Sequence, residues 1–267
     1  TVVLQRQFDA AAWLRAVQAH CGQLCDKQTL GHGIAYTCKR FPSLPEVNQF
    51  REVSLETSAD LPVAFEQCEQ CFAQQNLTCR GWTPAEGTPP TILADFLARR
   101  GFVPRRTTIM RLTTWEAIQA DAAVRILPAR AMRAAFRATF VESHSNQAAV
   151  DAETLADAAS ERLDDPQLDM FVANIDGRPV GRIGLHQVGD IARVVDLHVV
   201  PSASPEKVGA SLLAHALGLA RRLTIPMVLT QVPEGDEPLR MLFTRAGFVE
   251  DGQVVEFGRS TSSSPQS

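Results

Sequence analysis

Two titratable residues, Asp196 and His198, stand two positions apart in a run of apolar residues. In a β-strand, residues two apart lie on the same face of the sheet, so the carboxylate and the imidazole are expected side by side. Such a pair can take up and return a proton, directly or through a water molecule. The alternative is a pair of hydrogen-bonded polar residues at a strand end, and the sequence leaves both interpretations open.

The elements that must position this pair are a strand, a tight loop and a helix. The apolar pattern of residues 192–200 predicts a largely buried strand, which Pro201 ends because proline cannot donate to a neighbouring strand. The Ser-Pro-Glu sequence at 204–206 is typical of a helix start. A strand that turns directly into a helix directs free backbone N–H groups at one point, which suits an anion. An ordinary strand–helix connection is the alternative.

Size and composition limit the class of protein. The 267 residues suffice for one large or two modest domains, and 45% hydrophobic with 21% charged residues is ordinary for a globular protein. The net charge of -4 gives no basic field, so no nucleic-acid partner is expected. No apolar run approaches the roughly 20 residues of a membrane helix, and no signal-peptide pattern is visible. We therefore expect a cytoplasmic protein without a membrane partner.

All six cysteines lie in the first third of the sequence and are expected to be reduced thiols. Cys68 and Cys71 have a spacing that zinc sites and redox motifs both use. However, they fall on the apolar face of a predicted helix, and no second pair has the spacing that a structural zinc site needs. We expect core cysteines and no bound metal.

Strand and helix patterns divide the chain into two halves. The second half is predicted to follow the order β-α-α-β-β-β-α-β-α-β, with a hairpin at Asp176-Gly177. Residues 114–123 contain few large apolar residues and are predicted to form a helical linker. The predicted domains are therefore 1–113 and 124–259, joined by the linker 114–123, and the polar residues 260–267 are expected to be disordered.

Three short motifs carry a resemblance to a known family. They are LHVVP at 197–201, VGASLL at 208–213 and LFTRAGF at 242–248. Together with the order of elements, they resemble the GNAT superfamily of acyl-CoA-dependent N-acyltransferases over residues 124–259. The resemblance implies an α/β (α+β) fold, a mixed sheet flanked by helices. It also implies transfer of an acetyl or other acyl group from CoA to an amine, which attacks the thioester directly.

The same ending occurs earlier in the chain. FLARRGFV at 96–103 aligns with LFTRAGFV at 242–249, so that Gly101 precedes Gly247 by 146 residues. The first half is therefore expected to be a second, degenerate GNAT-like unit in tandem, although a chance recurrence of the motif is the alternative. Its strand–helix junction at 56–62 has no glycine and carries two acids, so it is not suited to a pyrophosphate.

The family's site residues can be assigned where the motifs match. The resemblance implies that the strand end, the loop and the last helix hold acetyl-CoA through Leu197, Val199, Val200, Ser204, Lys207, Val208, Gly209, Ala210 and Phe243. Asp196 and His198 are the predicted catalytic residues. Glu142 and His144 stand where the family often binds its acceptor, and a solvated loop is the alternative there.

The sequence departs from the family's pattern in two places. Phe243 replaces the tyrosine that usually serves as the acid, and Pro205 and Glu206 remove a donor and add a negative charge where the pyrophosphate would bind. These departures favour the alternative of a catalytically inactive GNAT-like binding or regulatory module. The leading hypothesis is an N-acetyltransferase, monomeric or homodimeric, that uses acetyl-CoA as cosubstrate. Its acceptor is predicted to be a small-molecule or peptide amine.

Overall fold

The computed structural model describes residues 10–144 and 151–259. The helices are α1 (Ala10–Cys21), α2 (Leu61–Ala73), α3 (Pro90–Ala98), α4 (Arg133–His144), α5 (Ala152–Arg162), α6 (Pro205–Arg222) and α7 (Glu237–Arg245). None of the helices in these two ranges is long and apolar enough to cross a membrane. The predicted disordered tail, residues 260–267, lies outside the described residues.

The strands occur in both parallel and antiparallel pairs, which confirms the predicted mixed α/β fold. They are β1 (Asp26–Leu30), β2 (Gly33–Thr37), β3 (Gln49–Val53), β4 (Gly81–Pro84), β5 (Phe102–Leu112), β6 (Arg125–Pro128), β7 (Leu168–Ile175), β8 (Arg178–Val188), β9 (Ile191–Val199), β10 (Met227–Pro233) and β11 (Phe248–Arg259). From β6 to β11 the elements follow the predicted order. Strand β1 is not predicted by the sequence because its residues are polar and mostly exposed.

Contacts divide the chain into two compact units. Unit 1 contains the described residues up to Ala16 and Thr108–Gly252, and unit 2 contains Val17–Thr107 and the described residues after Gly252. Within unit 1 the strand order is β6-β7-β8-β9-β10-β5-β11, and within unit 2 it is β1-β2-β3-β4-β11-β5. Strands β5 and β11 thus contribute residues to both units. The domain division at 114–123 differs from these limits and stays a prediction.

Side-chain caps fix where two helices of unit 1 begin. The carboxylate of Asp151 accepts a hydrogen bond from the Thr154 N–H at 3.0 Å before α5. Asp236 accepts one from the Leu239 N–H at 3.1 Å before α7. Helix α6 begins differently, because Ser204 precedes it without a capping hydrogen bond from its side chain. The serine therefore does not satisfy the N–H groups of the first turn of α6.

Strands β7, β8 and β9 form an antiparallel meander. Asp176 and Gly177, which connect β7 to β8, have φ angles of 50° and 83°. Two left-handed residues are what a type I′ hairpin requires, and this confirms the turn predicted from Asp-Gly. After the meander, β9 pairs in parallel with β10, and α6 connects the two strands.

The core of unit 1 lies where α6 packs on the meander. Val208 and Leu212 of α6 are buried with Ile183 of β8. A Cβ atom at Gly181 would lie 2.7 Å from the carbonyl oxygen of His198 and 3.1 Å from the Leu212 side chain. Real Cβ atoms do not approach a backbone oxygen so closely, so glycine at 181 is what the close pairing of β8 with β9 requires, and it also leaves room for the Leu212 side chain of α6.

Residues 114–123 contain no helix, so this part of the linker prediction is wrong. The segment is held by tertiary contacts instead. Thr113 N–H donates to the Gly247 carbonyl at 3.0 Å, and Asp121 N–H donates to the Ser211 hydroxyl of α6 at 2.9 Å. Between them, Trp115 lies 6.0 Å from the guanidinium of Arg221. These contacts satisfy polar groups of the segment without a helix.

The core of unit 2 contains the cysteines that raised the question of a metal site. Cys68, Cys71 and Cys79 are buried beside Trp82. A hydrogen bond with Cys79, together with burial, raises the pKa of the Cys68 thiol, so the thiol stays protonated at neutral pH. Among the described residues, no group of three or more His, Cys, Asp or Glu is placed to hold a metal ion. These cysteines pack as small core residues.

Two local features recur at matching places in the two units. Gly101 and Gly247 each follow a short helix with a φ of 80° and 94°, and a buried phenylalanine comes next. Glu52 in β3 and Asp196 in β9 have left-handed φ angles of 54° and 50°, each at an irregularity of strand pairing. Each unit therefore has a bulged strand followed by a helix, a strand, a helix and a Gly-Phe turn.

We expect Gly247→Ala to lower the free energy of unfolding by about 1–3 kcal/mol more than Gly235→Ala. The two glycines have similar φ angles, 94° and 89°, so alanine brings the same backbone strain at both. A Cβ atom at 247 would lie 2.1 Å from the Thr114 carbonyl oxygen, whereas at 235 it would meet no atom within 4 Å. Urea unfolding of both variants measures the difference, and equal losses would contradict the close contact.

Candidate active site

Strands β9 and β10 form a fork. They pair from Ile191 opposite Met227 to Val194 opposite Thr230, where the threonine hydroxyl donates to the Val194 carbonyl at 3.2 Å. The pairing ends there, although both strands continue, β9 to Val199 and β10 to Pro233. The five residues of β9 beyond the fork span about 16 Å of backbone. A ligand can therefore take the place of a neighbouring strand along this edge.

A β-bulge at Asp196 accounts for the fork. Val195 pairs with Gly184 of β8 and His198 pairs with Arg182, so two residues of β9 stand against one of β8. Asp196 has a φ of 50°, in the left-handed region that aspartate tolerates better than most residues. A bulge bends its strand and increases the local twist, which turns β9 away from β10.

A buried arginine holds the bulge residue. Arg182 is only 2% exposed; its Nε donates to Oδ2 of Asp196 at 2.8 Å and its Nη1 donates to the Thr139 carbonyl at 3.2 Å. The guanidinium lies 3.5 Å from the centre of the Phe140 ring. The Asp196 side chain keeps 33% of its surface exposed. The predicted catalytic carboxylate is therefore half of an ion pair.

His198 belongs to a stack of rings that comes from α4. Its ring lies 5.8 Å from that of His144 at an angle of 20°, and the His144 ring lies 6.1 Å from that of Phe140 at 13°. Burial, followed by the charge of Arg182, lowers the pKa of His198 to about 4. The His198 imidazole is therefore neutral at pH 7 and offers a lone pair, but it binds a proton weakly.

The loop between β9 and α6 is tied to neighbouring elements. The Ser202 hydroxyl donates to the Glu142 carboxylate of α4 at 2.5 Å and accepts from Nη2 of Arg178 at 2.8 Å. Beside the loop, in the first turn of α6, Nζ of Lys207 lies 3.8 Å from the Asp121 carboxylate, with 70% of the lysine side chain exposed. Two cationic side chains thus accompany the start of α6.

The other residues predicted to bind acetyl-CoA differ in exposure. Ser204 is exposed. The partly buried residues are Leu197, Val199 and Ala210, and the buried residues are Val200, Val208, Gly209 and Phe243. A Cβ atom at Gly209 would lie 3.2 Å from the Leu242 side chain, so this glycine brings α6 close to α7. Their contact with a cosubstrate stays a prediction.

Phe243 lies in the core of unit 1. It is 1% exposed, and its ring packs edge-on against that of Phe248 at 5.2 Å. A phenyl ring has no proton to donate, so the side chain at position 243 cannot serve as an acid.

Arg182, the partner of Asp196, contacts α4 through the Thr139 carbonyl, and His198 contacts α4 through the His144 ring. That Asp196 and His198 act together stays a prediction. Sequence reasoning missed Arg182 and Phe140, because their part in the site depends on strand register and helix packing. One signal was present: an arginine within a strand of apolar residues must find a partner when that strand is buried. His144 lies on the last described turn of α4, so neither it nor Glu142 belongs to the solvated loop that the sequence offered as an alternative.

Residues 129–248 match the family model described as "Acetyltransferase (GNAT) family". None of the curated proteins compared with the chain matches it. The chain is similar in structure to a GCN5-related N-acetyltransferase from Kribbella flavida, with 16% identity, a TM-score of 0.67, and coverage of 95% of this chain and 96% of that one.

Two further solved structures are similar over most of their length. A functionally unknown conserved protein from Staphylococcus epidermidis is 13% identical with a TM-score of 0.68, over 88% of this chain and 94% of that one. A GCN5-related N-acetyltransferase from Sphaerobacter thermophilus is 14% identical with a TM-score of 0.57, over 86% and 81%. At these identities the likeness shows the fold alone.

Stability is expected to fall on acidification because of two neutral histidines. Burial lowers the pKa of His186 and of His198 to about 4, against about 6.5 in the unfolded chain. Between these values the unfolded chain binds protons that the folded protein does not, so each histidine removes about 2 kcal/mol between pH 7 and pH 5. Urea unfolding at both pH values should show a smaller loss for His198→Gln than for the native protein. An unchanged loss would contradict the neutral state of His198.

We expect Asp196→Asn to destabilise the protein more than Arg182→Met. Asparagine still tolerates the left-handed backbone, but it leaves the charge of the buried Arg182 uncompensated, at a cost of about 3 kcal/mol. In Arg182→Met the remaining Asp196 carboxylate is partly exposed and water can solvate it. Chemical unfolding of the two variants tests this order, and the reverse order would show that the ion pair does not hold the bulge.

Proposed function

We propose that this chain, whose residues 129–248 form a domain of the GNAT acetyltransferase family, transfers an acetyl group from CoA to an amine. Family and fold support acyl transfer in general. We further propose that the group transferred is acetyl, that the acceptor attacks the thioester directly, and that the acceptor is an amine on a small molecule or peptide. The observation that carries it is the fork between β9 and β10, because it leaves the backbone of β9 beyond Val194 without a partner strand on that side.

The residues around the fork fit acetyl-CoA. The extended pantetheine arm can pair with the main chain of β9 over Val195–Val199, in the place of a strand. The pyrophosphate can lie at the start of α6, where the dipole and the Lys207 ammonium favour an anion. Pro205 and Glu206 weaken this end of the site, since one lacks an N–H and the other is negatively charged. We therefore expect the fork to contribute more to binding than the loop.

In the proposed reaction, the acceptor nitrogen attacks the thioester carbonyl carbon beside the bulge. A new C–N bond forms, the carbonyl oxygen becomes negative, and a backbone N–H of β9 stabilises it. The C–S bond then breaks and CoA leaves as the thiol. The neutral imidazole of His198 accepts a hydrogen bond from the incoming amine and orients its lone pair toward the carbon. Asp196 keeps the bulge in place through Arg182.

Unit 2 is proposed to be a degenerate second copy that does not bind acetyl-CoA. Glu52 has a left-handed φ as Asp196 does, but the irregularity at Glu52 lies in the pairing of β3 with β4, whereas that at Asp196 lies in the pairing of β9 with β8. Strands β3 and β4 stay paired on both sides of it. Val53 pairs with Pro84, and the Ala85 N–H donates to the Val53 carbonyl at 2.9 Å. No fork opens there for a pantetheine arm. We therefore expect one acetyl-CoA for each chain.

Isothermal titration calorimetry with acetyl-CoA tests the proposed function. One molecule bound per chain, with micromolar affinity, is the expected result. Absence of binding at millimolar acetyl-CoA would contradict the proposal. Two molecules per chain would contradict the assignment of unit 2.

Charge changes at the start of α6 are expected to shift this affinity in opposite directions. Glu206→Gln removes a negative charge beside the pyrophosphate and should tighten binding about 2–5-fold, whereas Lys207→Gln should weaken it by a similar factor. Both side chains are exposed, so folding should not change. Glu237→Gln, in the first turn of α7, is the matched control and should leave the affinity unchanged. Equal effects of all three variants would show that the pyrophosphate does not bind at α6.

A further inference from the structure

An acceptor amine is protonated at neutral pH and must lose a proton before it can attack, so the proposed reaction needs a base. The two residues predicted for this role are poorly suited to it. The Asp196 carboxylate accepts a hydrogen bond from Arg182 at 2.8 Å and forms an ion pair with it, and Asp196 is also the residue of the bulge. His198 is surrounded by Arg182, Asp196 and His144, and burial keeps its pKa at about 4, so it binds a proton too weakly to take one from an ammonium group.

His144 lies beside them with a different environment. It is on the last turn of α4 and is only partly buried. Its Nδ1 lies 2.9 Å from the carbonyl oxygen of Phe140, which can only accept a hydrogen bond. The proton of a neutral His144 is therefore on Nδ1, and Nε2 is the unprotonated nitrogen, which carries the lone pair. The carbonyl fixes the orientation of this ring as a base requires.

The ring stack places His144 at the reacting end of the fork. Its ring is nearly parallel to that of His198 and 5.8 Å away, and His198 directly follows the bulge of β9. An amine that approaches the edges of the two rings is within reach of both, directly or through one water molecule. His198 can then orient the nitrogen while His144 receives its proton.

We propose that His144, through its Nε2 atom, is the general base of the acyl transfer, and that His198 only orients the acceptor. This inference rests on the proposed function. His144 takes one proton from the ammonium group, which leaves the amine with its lone pair. When the C–N bond forms and the C–S bond breaks, the second proton lost by nitrogen goes to the leaving sulfur. The imidazolium of His144 then releases its proton to water, to which the partly buried ring has access.

The first test is the tautomer, which requires no acceptor. In ¹⁵N-labelled native protein at pH 8, long-range ¹H–¹⁵N correlations distinguish a protonated Nδ1 from a protonated Nε2. The His144→Phe variant assigns the signals of His144 by their absence. We expect Nδ1 to carry the proton in His144. A proton on Nε2 would overturn the proposal, because the lone pair would then face the Phe140 carbonyl.

The second test is the pH dependence of acetyl transfer, measured by thiol release from acetyl-CoA. A panel of primary amines (n-butylamine, spermidine, lysinamide and a short peptide) supplies the acceptor. His144→Phe keeps a ring in the stack but has no nitrogen. We expect it to lower kcat about 100-fold, with an unchanged affinity for acetyl-CoA by calorimetry. The variant should also lose the acidic limb of the native kcat/KM profile, because phenylalanine has no ring nitrogen that can take up a proton.

His215→Phe is the matched control, since His215 is a partly buried histidine of α6 that packs against Phe171 at 4.5 Å. It should retain both activity and pH profile. A native profile whose acidic limb lies near pH 4 would assign the base to His198, and full activity of His144→Phe would leave His144 only a packing role; either result overturns the proposal. If native protein does not bind acetyl-CoA, the proposed function fails instead. If acetyl-CoA binds but no amine of the panel is acetylated, the tautomer of His144 tests the proposal: a proton on Nδ1 supports it and a proton on Nε2 overturns it.

Discussion

The ion pair between Arg182 and Asp196 is the interaction on which the arrangement of unit 1 depends. A guanidinium with 2% exposure is costly to bury unless its charge and its donors are satisfied. Asp196 supplies the charge and the Thr139 carbonyl accepts a further hydrogen bond. Asp196 is also the left-handed residue of the bulge. The ion pair that compensates the charge of Arg182 therefore also fixes the bend of β9. The open edge of β9 and the place of His198 both follow from that bend.

The constraint extends to α4 through aromatic contacts. The guanidinium lies over Phe140, Phe140 stacks with His144, and His144 stacks with His198, which returns to the bulged strand. These contacts connect β8, α4 and β9, and the ion pair between Arg182 and Asp196 links β9 back to β8. A change at any member alters the packing of the next, so these contacts hold α4 in a fixed position where it meets the sheet. The proposed acyl transfer would benefit from such a fixed arrangement, since it depends on the orientation of two reactants.

The sequence predicts most elements of unit 1, because their apolar residues keep helical or alternating spacing and their ends carry Asp-Gly, Ser-Pro or Gly-Phe signals. It does not predict β1, whose mostly polar residues Asp26–Leu30 resemble a loop, or the absence of a helix from residues 114–123. The bulge is also invisible, since one extra residue changes side-chain parity without changing composition. The pairing of Arg182 with Asp196 depends on that register. Asp196 and His198 can therefore be identified as a polar pair from the sequence, but the ion pair of Asp196 with Arg182 and the ring contact of His198 with His144 cannot.

Strand β11 has a consequence for how the chain acquires its structure during synthesis. Its first residues belong to unit 1, whereas Phe257 and Gly258 pair with Trp82 and Gly81 of unit 2. Arg259 adds a hydrogen bond to the Cys79 carbonyl and an ion pair with Glu69. The ribosome synthesises β11 after every other described element. The edge of β4 that pairs with β11 therefore stays unpaired while residues 85–247 are translated. Unit 2 is therefore completed late, and until then the unpaired edge of β4 must be kept from pairing with strands of other chains.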